Sequence, residues 1–363
     1  MVGIRGGNLC HPAIAAPAVR YADGRRERAA LSHVVEPILE APPFAAKFDD
    51  LRISGDMNGR YDYVVAVPVC NEEAMLPRAL SALADAMRST GRSGAIVVAM
   101  NNSSDLSAVV AQEMAEACGI EHLIVELDFA PAIRNAPHAR RLALDIAATL
   151  APDGVLFTTD ADSHVSRNWI VDRLALADAG IDLVCEDVRL DDVEAAELPE
   201  RVRLIGEVER GYFRMCERLW SDWTRGQRGR FAHRASGASL AVRTAAYREI
   251  GGLPLPECGE DRALCSALLS SGRAVETIDD GGTRTSARLV GRAAGGCGIA
   301  LAERAQLDDP FCDGTLVPVH VLRALALDPV LSKTARTAAS QPMRFSEVQR
   351  ELSLAQEMLG ERA

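Results

Sequence analysis

Val155-Leu-Phe-Thr-Thr-Asp160-Ala-Asp162-Ser163 decides how this chain is read. A run of apolar or strand-favouring residues leads into two aspartates one residue apart, the pattern of a short buried strand with acids where it ends. Open α/β sheets bind ligands beyond the carboxyl ends of their strands. Two carboxylates this close repel each other unless a positive charge lies between them. A hard divalent cation with oxygen ligands, Mg²⁺ or Mn²⁺, meets that need and commonly holds substrate phosphates as well. The competing reading of Asp-Ala-Asp is a solvated turn before a helix that begins near Asn168.

Upstream, the chain alternates strand and helix. Tyr63-Val-Val-Ala-Val-Pro68-Val69 reads as a buried strand closed by Cys70-Asn71-Glu72-Glu73, with Asn71 as a suitable N-cap. Leu76, Leu80, Leu83 and Met87 recur at helical spacing. Ala95–Met100 is a second strand, ending in Asn101-Asn-Ser-Ser-Asp105, and a helix over 107–118 stops at Gly119. His122–Leu127 is a third strand, and His138–Leu150 a helix carrying Arg140 and Arg141 in its first turn. Four such alternations imply an α/β fold with a mostly parallel central sheet and right-handed crossovers. The polar loops at Asn71, Asn101 and Asp160 then share one sheet edge, where a cleft is expected.

Residues 1–60, broken by five prolines, read as a partly irregular N-terminal extension with one helix near 26–39. Residues 61–300 form the main domain and 301–363 a C-terminal helical segment. Within the second half, 198–223 reads as a long helix with Tyr212, Phe213, Trp220 and Trp223. These aromatics suit either core packing or the seat of an apolar or lipid-linked acceptor. Ser236–Arg243 is a strand entered through a glycine turn, and Glu260-Asp261 open an amphipathic helix, where acids also act as capping charges. The segment from Arg284 to Gly296 is basic and glycine-rich, suited to a loop that closes on phosphates with its arginine forks, or to a plain surface loop.

Composition narrows the classes. Of 363 residues 48% are hydrophobic, enough for a sizeable core. Aromatics at 4% and a net charge of −11 argue against nucleic acid as a partner. Nine scattered cysteines without a C-x-x-C pair suggest reduced thiols and a cytoplasmic chain. No run reaches the roughly 18 apolar residues that spanning requires, and Pro12–Val19 lacks the apolar centre of a signal peptide. Peripheral contact with a membrane stays open, as does the oligomeric state.

Four segments in order resemble the family 2 glycosyltransferases of GT-A fold: Val67-Pro-Val-Cys-Asn-Glu-Glu73, Asn101-Asn-Ser-Ser-Asp105, Thr159-Asp-Ala-Asp162, and Gly237-Ala-Ser-Leu-Ala-Val-Arg243 with Gly251-Gly252 and Gly259-Glu-Asp-Arg262. The resemblance covers about residues 61–290. It implies a nucleotide-sugar donor, a divalent metal, inversion at the anomeric carbon, and a small-molecule or lipid-linked acceptor. Carried over, Pro68, Asn71 and Glu72 line the nucleoside pocket, and Asn101 stands at the second-strand loop. Asp160 contacts ribose or metal, and Asp162 binds the metal bridging the diphosphate. Asp261, with Glu260 beside it, is the general base. Apart from the resemblance, Arg140 and Arg141 read either as solvated surface charges or, since their helix follows a cleft-edge loop, as a source of one arginine for the diphosphate, Arg141 being the candidate. A late histidine, His320 or else His233, is the candidate third metal ligand.

The chain departs from the family pattern in two places. Asn101 and Asn102 stand where an aspartate usually reads the base, which puts uracil in doubt; the Gln-x-x-Arg-Trp motif of processive members is missing. Three rivals are weaker. A haloacid-dehalogenase-like phosphohydrolase wants threonine or valine where His164 stands, and opens its domain with D-x-D. A nucleotidyltransferase wants a glycine-rich basic loop after strand one. A catalytically inactive nucleotide-sugar-binding protein would not need both motif acids intact.

Overall fold

The computed structural model describes residues 25–57, 59–291, 295–328 and 342–360. Residues 1–24 and 58 of the expected N-terminal extension, 292–294 of the glycine-rich segment, and 329–341 and 361–363 of the C-terminal part lie outside them.

The alternation predicted from sequence is present: β2 (Tyr63–Val69), α2 (Leu76–Arg88), β3 (Gly94–Asn101), α3 (Ser107–Cys118), β4 (His122–Phe129), α4 (Ala136–Leu150) and β5 (Val155–Thr158). β4, β3, β2 and β5 lie side by side and parallel. Their apolar runs are continuous because both faces are covered. Val64, Ala66, Val97, Val125 and Leu156 point into one core with α4 and with α1 (Arg25–Leu39), whereas Tyr63, Val65, Val67, Val98 and Phe157 point into the other with α2, α3 and α5 (Trp169–Asp178). Each valine, leucine or phenylalanine among them contributes about 1.5–3 kcal/mol when fully buried.

The sheet extends further on both sides than the sequence pattern shows. β1 (Phe48–Asp56), from the segment read as an extension, pairs antiparallel to β4 and forms one edge of the eight-stranded sheet. On the other side β9 (Leu240–Arg243) runs antiparallel between β5 and β7 (Leu183–Glu186), and β10 (Val275–Ile278) closes the sheet parallel to β7. A small second sheet orders β6 (Ser163–His164), β11 (Arg284–Thr285) and β8 (Arg189–Leu190), and lays the 284–291 segment against the Asp-Ala-Asp motif.

A separate core sits under the C-terminal helices. α7 (Glu200–Thr224) packs with α11 (Val319–Leu327) and α12 (Phe345–Met358) through Tyr212, Phe213, Trp220, Leu316 and Val348. The aromatic stripe of α7 is therefore core, with Trp223 partly buried against it. No helix among the described residues is long and apolar enough to cross a membrane. Between α5, β7 and β9 lies a buried ion pair, Arg173 with Glu186, in which Ser239 and Thr283 also donate to Glu186. Burial pulls the Arg173 guanidinium down to about 10 despite that partner.

Candidate active site

β5 stops pairing with β2 at Ala66, opposite Thr158. Beyond it Pro68, which has no N–H to offer a ladder, continues β2 alone against Ala99 of β3. The strands part here, and the loops that follow them carry Asn71 and Asp160. Asn71 and Asn102 both adopt left-handed backbone, at φ 55° and 54°, a region asparagine tolerates better than most residues. Asn71 does not cap α2, whose N-cap is Met75. Its Oδ1 accepts from the Ser104 N–H at 2.7 Å. Asn102 binds Phe129 through both backbone groups, at 3.1 and 3.3 Å, and so joins β3 to β4. Glu73 Oε2 accepts from Leu106 N–H, and Ser107 Oγ from Glu72 N–H. Much of the polar sequence here serves to hold the two loops together, while Asn101 ends β3 buried.

Arg140, only 4% exposed, is the hub beneath the acids. Its Nη2 donates to Asp160 Oδ1 at 2.6 Å, Nε to Glu260 Oε1 at 3.0 Å, and Nη1 to Thr158 Oγ1 and Gly237 O at 2.8 and 2.9 Å. Burial works against its charge, but Asp160 and Glu260 hold its pKa above the usual value. A Cβ at Gly237 would lie 2.6 Å from Arg140 Nη2 and 2.8 Å from Cζ. A pinned guanidinium cannot move aside. Gly237→Ala is therefore expected to cost about 1–3 kcal/mol by overpacking, read as a lower urea midpoint, with weaker nucleotide binding. An unchanged midpoint would show that Arg140 has room to shift.

Asp162 faces a different cation. Its Oδ2 lies 2.7 Å from Arg288 Nη2, and the same guanidinium forks onto Glu72 at 2.5 and 2.9 Å. Burial, then the charge of Asp160, pushes the Asp162 carboxyl up to about 6, with Arg288 pulling the other way. Asp160 and Asp162 offer hard oxygen donors in a locally over-negative setting, which fits Mg²⁺ or Mn²⁺ completing its shell with water and phosphate oxygens. Among the described residues no group of three His, Cys, Asp or Glu forms a ready metal cage.

Asp261 opens α9 (Glu260–Ser270). Its two oxygens accept from Gly237 N–H at 3.0 Å and Arg262 N–H at 2.7 Å. Burial, then the neighbouring Glu260, raises its pKa above the ordinary carboxylate value. Glu260 shares Arg140 with Asp160, and Gly237, whose O accepts from Arg140, gives its N–H to Asp261, so Asp261 is linked to that hub only through Gly237.

Other candidates lie elsewhere. Arg141 turns away from the acids, donating to Asp145, Gly251 O and Leu253 O, so Arg140 is the arginine of the site. His320 is exposed on α11, a helix packed on α7, and joins no ligand cluster with the two aspartates. His233 lies 2.9 Å from the Thr277 hydroxyl. Arg288, read from sequence only as part of a basic loop, reaches the centre of the site.

Residues 64–234 match the family model described as Glycosyl transferase family 2. No curated protein matches the chain. Among solved structures, mannosyltransferase PcManGT from Pyrobaculum calidifontis in complex with GDP-Man and Mn²⁺ is 17% identical at TM-score 0.47, over 87% of this chain and 83% of that one. S. aureus TarS 1-349 in complex with UDP-GlcNAc is 15% identical at TM-score 0.46, over 81% and 79%. Glucosyl-3-phosphoglycerate synthase from Mycobacterium tuberculosis is 15% identical at TM-score 0.40, over 77% and 81%. Against two further TarS structures the chain spans 36% and 61% of their length. The family 2 match takes in Pro68, Asn71, Arg140 and the Asp-Ala-Asp motif, and stops short of Glu260, Asp261 and Arg288.

Proposed function

We propose that this chain is a family 2 glycosyltransferase that moves a sugar from a nucleotide-sugar donor to an acceptor hydroxyl with inversion, assisted by Mg²⁺ or Mn²⁺. The observation that carries the reading is the convergence of acids at one sheet edge: Asp160 and Glu260 on the buried Arg140, Asp261 on Gly237 beside it, and Asp162 on Arg288. Asp162 and Asp160 would hold the cation, which when bound offsets charge on the departing diphosphate as a Lewis acid. Pro68, Asn71, Glu72 and Asn101 border the nucleoside side of the cleft. Asp261 takes the proton of the acceptor hydroxyl. Each of its oxygens carries a second lone pair beyond the one given to backbone N–H, so it retains acceptor capacity.

Release of nucleoside diphosphate from nucleotide sugars, screened with Mn²⁺ and with EDTA, tests the reading. Metal-dependent release supports it; release of inorganic phosphate from phosphoesters instead supports the hydrolase. The pH dependence follows from Asp261. A base works only when ionised, and the raised pKa of Asp261 moves its ionisation to higher pH. The acid limb of kcat/KM is expected to fall with a midpoint above that of an ordinary aspartate, and to vanish in Asp261→Asn. A limb that persists unchanged in that variant assigns it to another group.

A further inference from the structure

Asp162 Oδ2, an atom a cation would need, is already taken by Arg288. The backbone that carries Arg288 is fixed. Thr285 pairs with Ser163 in the small sheet, and Ser286 N–H donates to Asp162 O at 3.2 Å. Ser286 Oγ and Ala287 N–H both donate to Glu194 Oε2 at 2.7 Å. Beyond it, Gly291 packs backbone to backbone on Gly298, in the first turn of α10 (Cys297–Gln306), where a Cβ would lie 2.7 Å from Gly291 N and Cα. What remains free to move is the side chain of Arg288, which is only partly buried.

From this geometry we infer that Arg288 is an exchangeable counter-ion: it occupies Asp162 when no divalent cation is present, and releases it to the cation while keeping Glu72. A guanidinium and a divalent ion cannot share one carboxylate oxygen at contact without like-charge repulsion. Glu72 lets Arg288 retreat without being left unpaired, since the fork onto Glu72 survives loss of the Asp162 contact. A nucleoside diphosphate then adds phosphate oxygens, which arginine forks bind well. Arg288 thus holds back cation binding until the nucleotide arrives, and couples the two. The inference rests on the cation requirement proposed above.

Mn²⁺ binding, measured by electron paramagnetic resonance and calorimetry on the full chain without and with UDP or GDP, tests it. Arg288→Met is expected to bind Mn²⁺ alone about tenfold or more tightly than the unaltered protein, within the usual range of coupling between sites. The extra gain on adding nucleotide should shrink accordingly. Arg288→Lys keeps the charge but not the fork and is expected to tighten Mn²⁺ by a smaller factor, which covers the case where Arg288→Met fails to fold. If Arg288 were only a strut, both variants would bind Mn²⁺ no better, or worse; that result overturns the exchange alone. Failure of the unaltered protein to bind Mn²⁺ with or without nucleotide overturns the exchange and the metal reading together.

Discussion

Asp261→Asn is expected to lower kcat by about 10²–10⁴, the usual contribution of a positioned general base, while the affinity for nucleotide stays within a few fold. The split follows from where Asp261 sits. It lies at the start of α9, bonded to Gly237 N–H and Arg262 N–H, and makes no contact with Asp162 or Arg288. The substitution also has a structural cost. Asparagine presents one NH₂ where the carboxylate presents an oxygen, so one backbone N–H loses its acceptor, at about 1–3 kcal/mol when buried. That cost appears in the urea midpoint. Loss of turnover with a folded, nucleotide-binding protein assigns the base to Asp261. Retained turnover beside a lowered midpoint would leave Asp261 as a tie between the Gly237 turn and the first turn of α9, and nothing more.

The difference between those outcomes matters because both readings were visible in the sequence. Glu260-Asp261 at a helix start is what a cap looks like and what a base in a cleft looks like. In the structure Gly259 is the N-cap and Asp261, in the first turn, accepts from Gly237 N–H and Arg262 N–H, a structural role that does not exclude the catalytic one. The strands were legible for a simple reason: β2, β3 and β5 are buried on both faces and read as unbroken apolar runs. β1 was not, because Phe48–Asp56 carries Asp49, Asp50 and Arg52 and its register shifts between Asp49 and Arg52. Edge strands with charges and bulges carry little periodicity.

The site divided along the same line. Asp160 and Asp162 are legible because a strand runs into them. Their neutralising partners were harder, since the choice between adjacent arginines depends on the rotation of α4, which buries Arg140 and leaves Arg141 to bind the Gly251 turn. Arg288 pairs with Glu72 across 216 residues of chain, a contact no local pattern contains. Asn71 and Asn102 carried a weaker signal. Asparagine just past a strand suits a left-handed turn as well as a cap, and here the turn took both.

Arg140→Met is expected to destabilise the fold by about 3–5 kcal/mol, the range for removing one partner of a buried ion pair, and to abolish transfer. Methionine replaces the volume but leaves Glu260, 8% exposed, without its cation and Thr158 and Gly237 O without their donor. Asp160 would lose a bond of 2.6 Å and face Asp162 with no charge between them on its side. Two controls separate fold from site. Arg140→Lys keeps a charge but cannot fork to two carboxylates and two neutral oxygens at once, so it should recover part of the stability and little of the activity. Arg141→Met removes donors to Gly251 O and Leu253 O, away from the acids, and should lower the urea midpoint while nucleotide binding persists. If Arg140→Met melted within about 1 kcal/mol of the unaltered protein, by the scale of net hydrogen-bond contributions, the carboxylates would have found water or each other's protons. The hub would then be a convenience of packing, with the acids organised by the loops alone.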